Sequence, residues 1–181
     1  MGQSAPAFVD ALCSRAPTSA ADTGMSLYAW LVGRWELDAV LRRPDGSTDR
    51  KRGFVSAGWV LEGRAIQDVF ALPDLFYGST LRVYDSAIDA WHCHWSDPLH
   101  QVYFQMIGRS EAGEIVNEGL EPESLGKVYG VKPIPGSPAI LRWIFSDISD
   151  STFRWRSERS LDGKSWQLQR QYLARRLLSS A

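Results

Sequence analysis

The segment from Gly78 to Met106 decides the fold, because it contains three alternating stretches separated by turns. It reads Gly78-Ser-Thr-Leu-Arg-Val-Tyr-Asp85, a turn, Trp91-His-Cys-His-Trp95, a second turn, and His100 to Met106. Successive side chains of a strand point to opposite faces, so the two tryptophans and the cysteine share one face and the two histidines share the other. Short alternating segments joined by tight turns predict antiparallel β-hairpins.

The same alternation extends over most of the chain. Trp35, Leu37, Ala39 and Leu41 form one apolar face, and similar segments cover residues 47–57, 59–72, 114–120, 140–146, 152–160 and 164–175. Helices are indicated only before Gly33, at residues 4–15 and 27–32. The sequence therefore predicts an all-β fold, an antiparallel closed β-barrel of about nine or ten strands with short N-terminal helices. A barrel of this size can hold one small ligand.

The length of 181 residues corresponds to one domain. We expect an N-terminal helical extension at residues 1–24, the barrel at residues 25–176 and a C-terminal tail at residues 177–181. Residues 121–138 contain four of the nine prolines, which predicts a long loop. Such a loop is either a binding loop or a surface excursion.

The composition is that of an ordinary soluble protein, with 44% apolar residues, 23% charged residues and a net charge of −1. The charges are mixed along the chain, so we expect neither nucleic acid nor a membrane as partner. Two cysteines form no disulfide framework, and no signal peptide or membrane span is visible. These observations predict a cytoplasmic protein whose partner is a small molecule, and they are compatible with a homodimer.

Gly33-Arg34-Trp35 at the start of the first strand resembles the Gly-x-Trp entry of the calycin superfamily, the lipocalins and their relatives. In those barrels a basic residue on the last strand covers the tryptophan. Arg175 and Arg176 are both at the corresponding position of this chain. The order of further motifs is similar to the bacterial lipocalin-like family of the DUF1579 type. These motifs are Leu61-Glu-Gly-Arg64, Thr80-Leu-Arg-Val-Tyr-Asp85, Trp91 with Trp95-Ser-Asp97, Phe153-x-Trp155 and Leu161-Asp-Gly-Lys-Ser-Trp166. The resemblance implies a barrel with a ligand cavity, and it implies no particular catalytic residues.

Two arginines are candidate anchors for a ligand inside the barrel. Arg170 shares a strand face with core-type residues, which favours a position in the lumen. Arg82 lies between Thr80 and Tyr84 on one face, whereas Leu81 and Val83 occupy the other, so its facing stays open. The predicted ligand-binding residues are Arg82, Arg170, Trp91, Trp95, Tyr103, Trp155 and Tyr172.

The candidate catalytic residues are His92, His94 and Tyr84, because a histidine in the lumen can transfer protons near neutral pH. The position of His100 depends on the turn after Trp95. A three-residue turn pairs His94 with His100, and a four-residue turn pairs Trp95 with it. The histidines also suggest a metal or haem site as an alternative, although our preferred interpretation includes no metal and no cofactor.

The sequence thus predicts a protein that binds a small hydrophobic or aromatic molecule, which can carry a carboxylate, inside the barrel. The alternative is a cofactor-independent isomerase, cyclase, lyase or hydratase that uses the same cavity. The sequence does not decide whether the protein is an enzyme. A buried histidine beside an arginine would favour the enzyme, and a cavity lined by aromatic side chains would favour binding.

Overall fold

The computed structural model describes residues 6–18, 23–42, 45–122, 125 and 139–177. Helix α1 (Phe8–Leu12) and a 3-10 helix (Thr23–Leu31) precede most of the sheet. The strands are β1 (Cys13–Ser14), β2 (Gly33–Arg42), β3 (Thr48–Val60), β4 (Ala65–Leu72), β5 (Phe76–Asp85), β6 (Ala90–Asp97), β7 (Val102–Glu111), β8 (Glu114–Leu120), β9 (Ile140–Ser146), β10 (Thr152–Ser160) and β11 (Gln167–Arg176).

Ten of these strands close into a barrel. Each strand from β2 to β10 pairs antiparallel with the next one along the chain, and β11 pairs back onto β2. The closing register joins Arg176 to Trp35 at one end and Arg170 to Leu41 toward the other. The short strand β1 adds to the end of β3. The predicted all-β closed barrel of nine or ten strands is therefore confirmed.

The predicted strand over residues 59–72 is wrong, because a turn at residues 61–64 divides it into the end of β3 and the whole of β4. Leu61 and Glu62 adopt left-handed backbone angles with φ of 53° and 59°, and Gly63 follows at 77°. The turn was hidden because two of these positions are not glycine, and non-glycine residues rarely adopt such angles.

The N-terminal helices are shorter or tighter than expected. Helix α1 spans Phe8–Leu12 rather than residues 4–15, and residues 4–5 lie outside the described part of the chain. The segment predicted as a helix over residues 27–32 belongs to the 3-10 helix Thr23–Leu31, and Gly33 follows it with φ of 127°. Most of the predicted loop 121–138 also lies outside the described residues. No helix in the described ranges is long and apolar enough to cross a membrane.

The 3-10 helix closes one end of the barrel, which we call the helix end; β2 begins there and β11 ends there. Tyr28 and Leu31 of this helix are buried. The guanidinium of Arg176 lies 4.0 Å from the centre of the Trp35 ring and donates hydrogen bonds to the carbonyls of Val32 (2.8 Å) and Trp30 (2.6 Å). Of the two arginines that the sequence left open, Arg176 is thus the one that covers Trp35. We call the opposite end, where β2 ends and β11 begins, the far end.

Candidate functional site

An internal cavity lies between the helix-end plug and the far end of the barrel. It encloses about 580 Å³ of space between atoms, including the part that opens to solvent. Narrow gaps between side chains make up most of this volume, so without side-chain movement the cavity holds only a few water-sized groups. Its lining consists of Leu31, Val55, Asp68, Phe70, Phe76, Thr80, Arg82, Trp95, Leu125, Trp143, Phe145, Trp155, Arg170 and Tyr172.

Four aromatic side chains from β6, β9, β10 and β11 form a connected wall of this cavity. Trp95 and Trp143 meet edge to face with their ring centres 5.4 Å apart, and Trp143 meets Trp155 in the same way at 5.7 Å. Trp155 and Tyr172 stack almost parallel at 4.8 Å. The strand alternation brings these rings together, because each occupies an inward position of its strand.

A buried ion pair crosses from β4 to β5 in the cavity lining. Arg82 Nη1 donates to Asp68 Oδ2 at 2.5 Å, and Asp68 Oδ1 accepts a hydrogen bond from the backbone N–H of Thr80 at 3.1 Å. Burial is the largest single effect and disfavours the charged guanidinium, but Asp68, Cys93 and Tyr28 together keep the pKa of Arg82 above its ordinary value. The pair is electrically balanced, which allows two charges to lie inside the barrel.

Arg170 contributes a second buried guanidinium, from β11. Its Cζ lies 4.5 Å from the centre of the Phe76 ring. Burial lowers the pKa of Arg170 to about 9, and the nearby Asp97 opposes that shift. Both Asp97 oxygens also accept other hydrogen bonds, from the backbone N–H of Leu99 at 3.1 Å and from His100 Nδ1 at 2.8 Å. The cavity therefore contains a charged guanidinium at neutral pH.

Three buried donor groups lie in or beside the cavity without a hydrogen-bond acceptor among the described residues: Arg82 Nε, Trp143 Nε1 and Ser157 Oγ. Arg82 and Trp143 line the cavity. Ser157 is buried on the inner face of β10.

Five of the seven predicted ligand-binding residues line the cavity, namely Arg82, Arg170, Trp95, Trp155 and Tyr172. The other two do not. Trp91 points inward but is sealed under Tyr28, with ring centres 5.1 Å apart. Tyr103 is 51% exposed on the outer face of β7. The predicted placement of these two residues in the cavity is therefore wrong.

The three candidate catalytic residues lie outside the cavity, which corrects their expected position in the lumen. Because Trp91 and Trp95 point inward, the pleat of β6 turns His92 and His94 outward. His92 Nε2 contacts Asp85 Oδ2 at 3.2 Å on that outer face. Tyr84 lies at the helix end, and its hydroxyl donates to Asp89 Oδ1 at 2.7 Å.

Both expected registers for His100 are wrong. Trp95 pairs with Phe104 and Asp97 with Val102, so His100 lies in the turn between β6 and β7. Its ring packs against Phe76 with centroids 5.3 Å apart. In the described ranges no group of three or more His, Cys, Asp or Glu side chains is arranged to hold a metal ion.

Sequence reasoning missed several polar residues of the interior. Asp68 is buried and points inward, whereas Glu62 and Arg64 contact each other in the exposed turn before β4. Asp68 pairs with Thr80, so the two side chains share a face, and Arg82 lies two residues further on that face of β5. One residue known to point inward would therefore have placed all three inside the barrel.

A second polar network fills the interior near the helix end. The Tyr28 hydroxyl donates to Asn117 Oδ1 at 2.6 Å, and Asn117 Nδ2 donates to the carbonyl of Trp143 at 3.0 Å. Cys93 Sγ also donates to Asn117 Oδ1, at 3.1 Å. Burial raises the pKa of the Cys93 thiol to about 11, so the thiol is protonated and unreactive at neutral pH. No sequence signal joined these three distant residues.

A comparison of the sequence with protein-family models finds no match. A comparison with curated proteins finds none either.

Proposed function

We propose that the protein binds a small, largely aromatic molecule inside its barrel. The observation that carries this proposal is an internal cavity that combines a wall of stacked and edge-to-face aromatic rings with a guanidinium. Ligand sites are typically apolar hollows with a few well-placed polar groups, and this cavity has that composition.

The aromatic wall suits a flat ring. The rings of Trp95, Trp143 and Trp155 already meet edge to face, an arrangement that a further ring can join at low cost in side-chain entropy. The limited space favours a molecule of no more than one or two rings, and side chains of the lining must move apart to admit it. Arg170 places a positive charge in the lining, near Asp97, and this charge attracts a carboxylate.

The position of the histidines favours binding over catalysis. His92 and His94 lie on the outer face, and the described lining includes neither histidine nor cysteine. The contact between Arg176 and Trp35 adds support, since the resemblance to lipocalin-like barrels implies both that contact and a ligand cavity. Membership of that family remains part of the proposal.

The test is a titration of the purified protein with two small fluorinated probes, 4-fluorotoluene and 4-fluorobenzoate, followed by ¹⁹F NMR. We expect saturable binding of at least one probe. Trp155→Leu should weaken it about tenfold, because the substitution removes an aromatic wall of the cavity. Native mass spectrometry of the same preparation would reveal a small molecule that co-purifies.

Trp166→Leu is the matched control. Trp166 packs against Arg142, whose Cζ lies 3.9 Å from its ring centre, and it is not part of the cavity lining. Its substitution should leave probe binding unchanged. Failure of both probes to saturate, or equal loss in both variants, would contradict binding in this cavity.

A further inference from the structure

Three inward side chains form one continuous row across β9, β10 and β11. Ser157 pairs with Trp143 of β9 on one side and with Arg170 of β11 on the other. Directly paired residues point to the same face of a sheet, so the three side chains lie next to one another on the inner wall. We call Trp143, Ser157 and Arg170 the donor row.

The donor row contains hydrogen-bond donors that the described chain leaves without acceptors. Trp143 Nε1 and Ser157 Oγ are buried, with the two residues 9% and 1% exposed, and neither atom has a partner in the described ranges. Buried polar groups are nearly always hydrogen-bonded in folded proteins. A donor that lacks an acceptor destabilises the structure, so a pair of such donors beside a cavity is suited to an acceptor from outside the described residues, such as a bound ligand.

The buried groups without hydrogen-bond partners in the described part of the chain are donors rather than acceptors. Every buried side-chain atom without a partner in the described residues belongs to a group that can donate: guanidinium, indole N–H or hydroxyl. No buried carboxylate or side-chain amide oxygen there lacks a partner. The interior therefore has donors to offer and few free acceptors, which is the complement of a group that only accepts hydrogen bonds.

We propose that the donor row recognises the carboxylate of an aromatic acid, and that the protein selects aromatic acids over the matching amides and amines. This inference rests on the proposed binding function and specifies its ligand class. A carboxylate offers two acceptor oxygens and a negative charge. The indole N–H and the hydroxyl donate to the oxygens, and the guanidinium of Arg170 supplies the opposite charge.

The same row disfavours the alternatives. An amide presents an NH2 group in place of one oxygen. That group finds an acceptor in the row only in the Ser157 hydroxyl, and it leaves Trp143 and Arg170 with one acceptor oxygen between them. An ammonium group has no acceptor and carries the same charge as Arg170. The guanidinium of Arg82 lies on the β4–β5 side of the barrel, where it is bound to Asp68 at 2.5 Å.

The test compares four probes of nearly equal size by ¹⁹F NMR titration: 4-fluorobenzoate, 4-fluorobenzamide, 4-fluorobenzylamine and 4-fluorotoluene. The wild-type protein should bind 4-fluorobenzoate at least tenfold more tightly than the other three. Trp143→Phe keeps a ring but removes the N–H, and Ser157→Ala removes the hydroxyl. Each should weaken 4-fluorobenzoate about tenfold more than it changes the binding of 4-fluorotoluene, because only the benzoate loses a hydrogen bond to a charged group.

Trp155→Phe is the matched control, since Trp155 lines the same cavity but is not part of the donor row. It should affect 4-fluorobenzoate and 4-fluorotoluene alike. Equal affinity for the benzoate and the amide or amine would overturn the inference, as would unchanged benzoate binding in both row variants. If 4-fluorotoluene binds and 4-fluorobenzoate binds no more tightly, the protein binds aromatic molecules but the donor row does not recognise a carboxylate. If none of the four probes binds, the binding function fails as well.

Discussion

The two halves of the barrel interior differ in how their buried polar groups are satisfied. At the helix end, Tyr28, Asn117 and Cys93 bond to one another, and Arg176 donates to backbone carbonyls while it covers Trp35. In the cavity half, the Asp68–Arg82 pair is balanced, but Trp143 Nε1 and Ser157 Oγ have no acceptor in the described residues.

This contrast distinguishes polar groups that stabilise the fold from polar groups that are available to a ligand. A fully bonded polar network rigidifies a core, and its members lose stability when one is removed. A buried donor without a partner contributes no such stability, so its retention needs another reason. We therefore propose that the polar groups of the helix end serve stability and those of the cavity half serve ligand recognition.

The largest effect is expected at the helix end, for Arg176→Ala. The substitution removes hydrogen bonds to the carbonyls of Trp30, Val32 and Asp150 and uncovers the Trp35 ring. We expect the free energy of unfolding, measured in urea, to fall by about 3 kcal/mol. The neighbouring Arg175→Ala is the control: Arg175 is exposed, so a change within about 0.5 kcal/mol is expected. Equal effects of the two substitutions would contradict the role given to Arg176.

The second prediction concerns alkaline pH. Burial raises the pKa of Cys93 to about 11 in the folded protein, above the ordinary value of 9.0. The folded state therefore holds this proton more tightly than the unfolded state, so stability is complete below pH 9 and is lost as the pH rises toward 11. The contribution is roughly 2 to 3 kcal/mol.

The measurement is the free energy of unfolding at pH 8 and pH 11 for the wild type, Cys93→Ala and Cys13→Ala. Cys93→Ala should lose less stability between the two pH values than the wild type. Cys13 is exposed, so Cys13→Ala should lose as much as the wild type. An identical pH dependence in all three proteins would refute a buried, protonated thiol at the helix end.

The barrel itself was predictable from the sequence, and the inner polar residues were predictable only in part. Alternation located most of the strands, including β10 over residues 152–160, because strand periodicity is a local property. The turn at residues 61–64 was missed since its left-handed positions are occupied by leucine and glutamate as well as glycine.

The sequences of β5 and β6 alone do not determine which of their side chains point into the barrel. Arg82 points inward although apolar Leu81 and Val83 flank it, and the reason is a partner, Asp68, on another strand. The histidines point outward because the tryptophans of β6 fill the interior. Pairing between distant residues, such as Tyr28 with Asn117, arises only when the closed barrel brings the strands together.

A smaller effect should follow from Tyr28→Phe, which removes the hydroxyl that donates to Asn117 Oδ1. Cys93 still donates to the same oxygen, so Asn117 Oδ1 keeps one hydrogen bond in the variant. We expect a loss of about 1 to 2 kcal/mol in the free energy of unfolding. A variant as stable as the wild type would show that the helix-end network does not contribute to stability.

The smallest change in stability, and the most direct test of the division, is expected for Ser157→Ala measured with and without an aromatic acid. Without ligand, removing an unpartnered buried hydroxyl should leave the free energy of unfolding unchanged or raise it by up to about 1 kcal/mol. With 4-fluorobenzoate present, the wild type should gain more stability than the variant, because binding to the folded state stabilises it in proportion to affinity. If Ser157→Ala is instead clearly less stable than the wild type without ligand, and gains as much stability from 4-fluorobenzoate, the hydroxyl is structural and the account of the cavity half is contradicted.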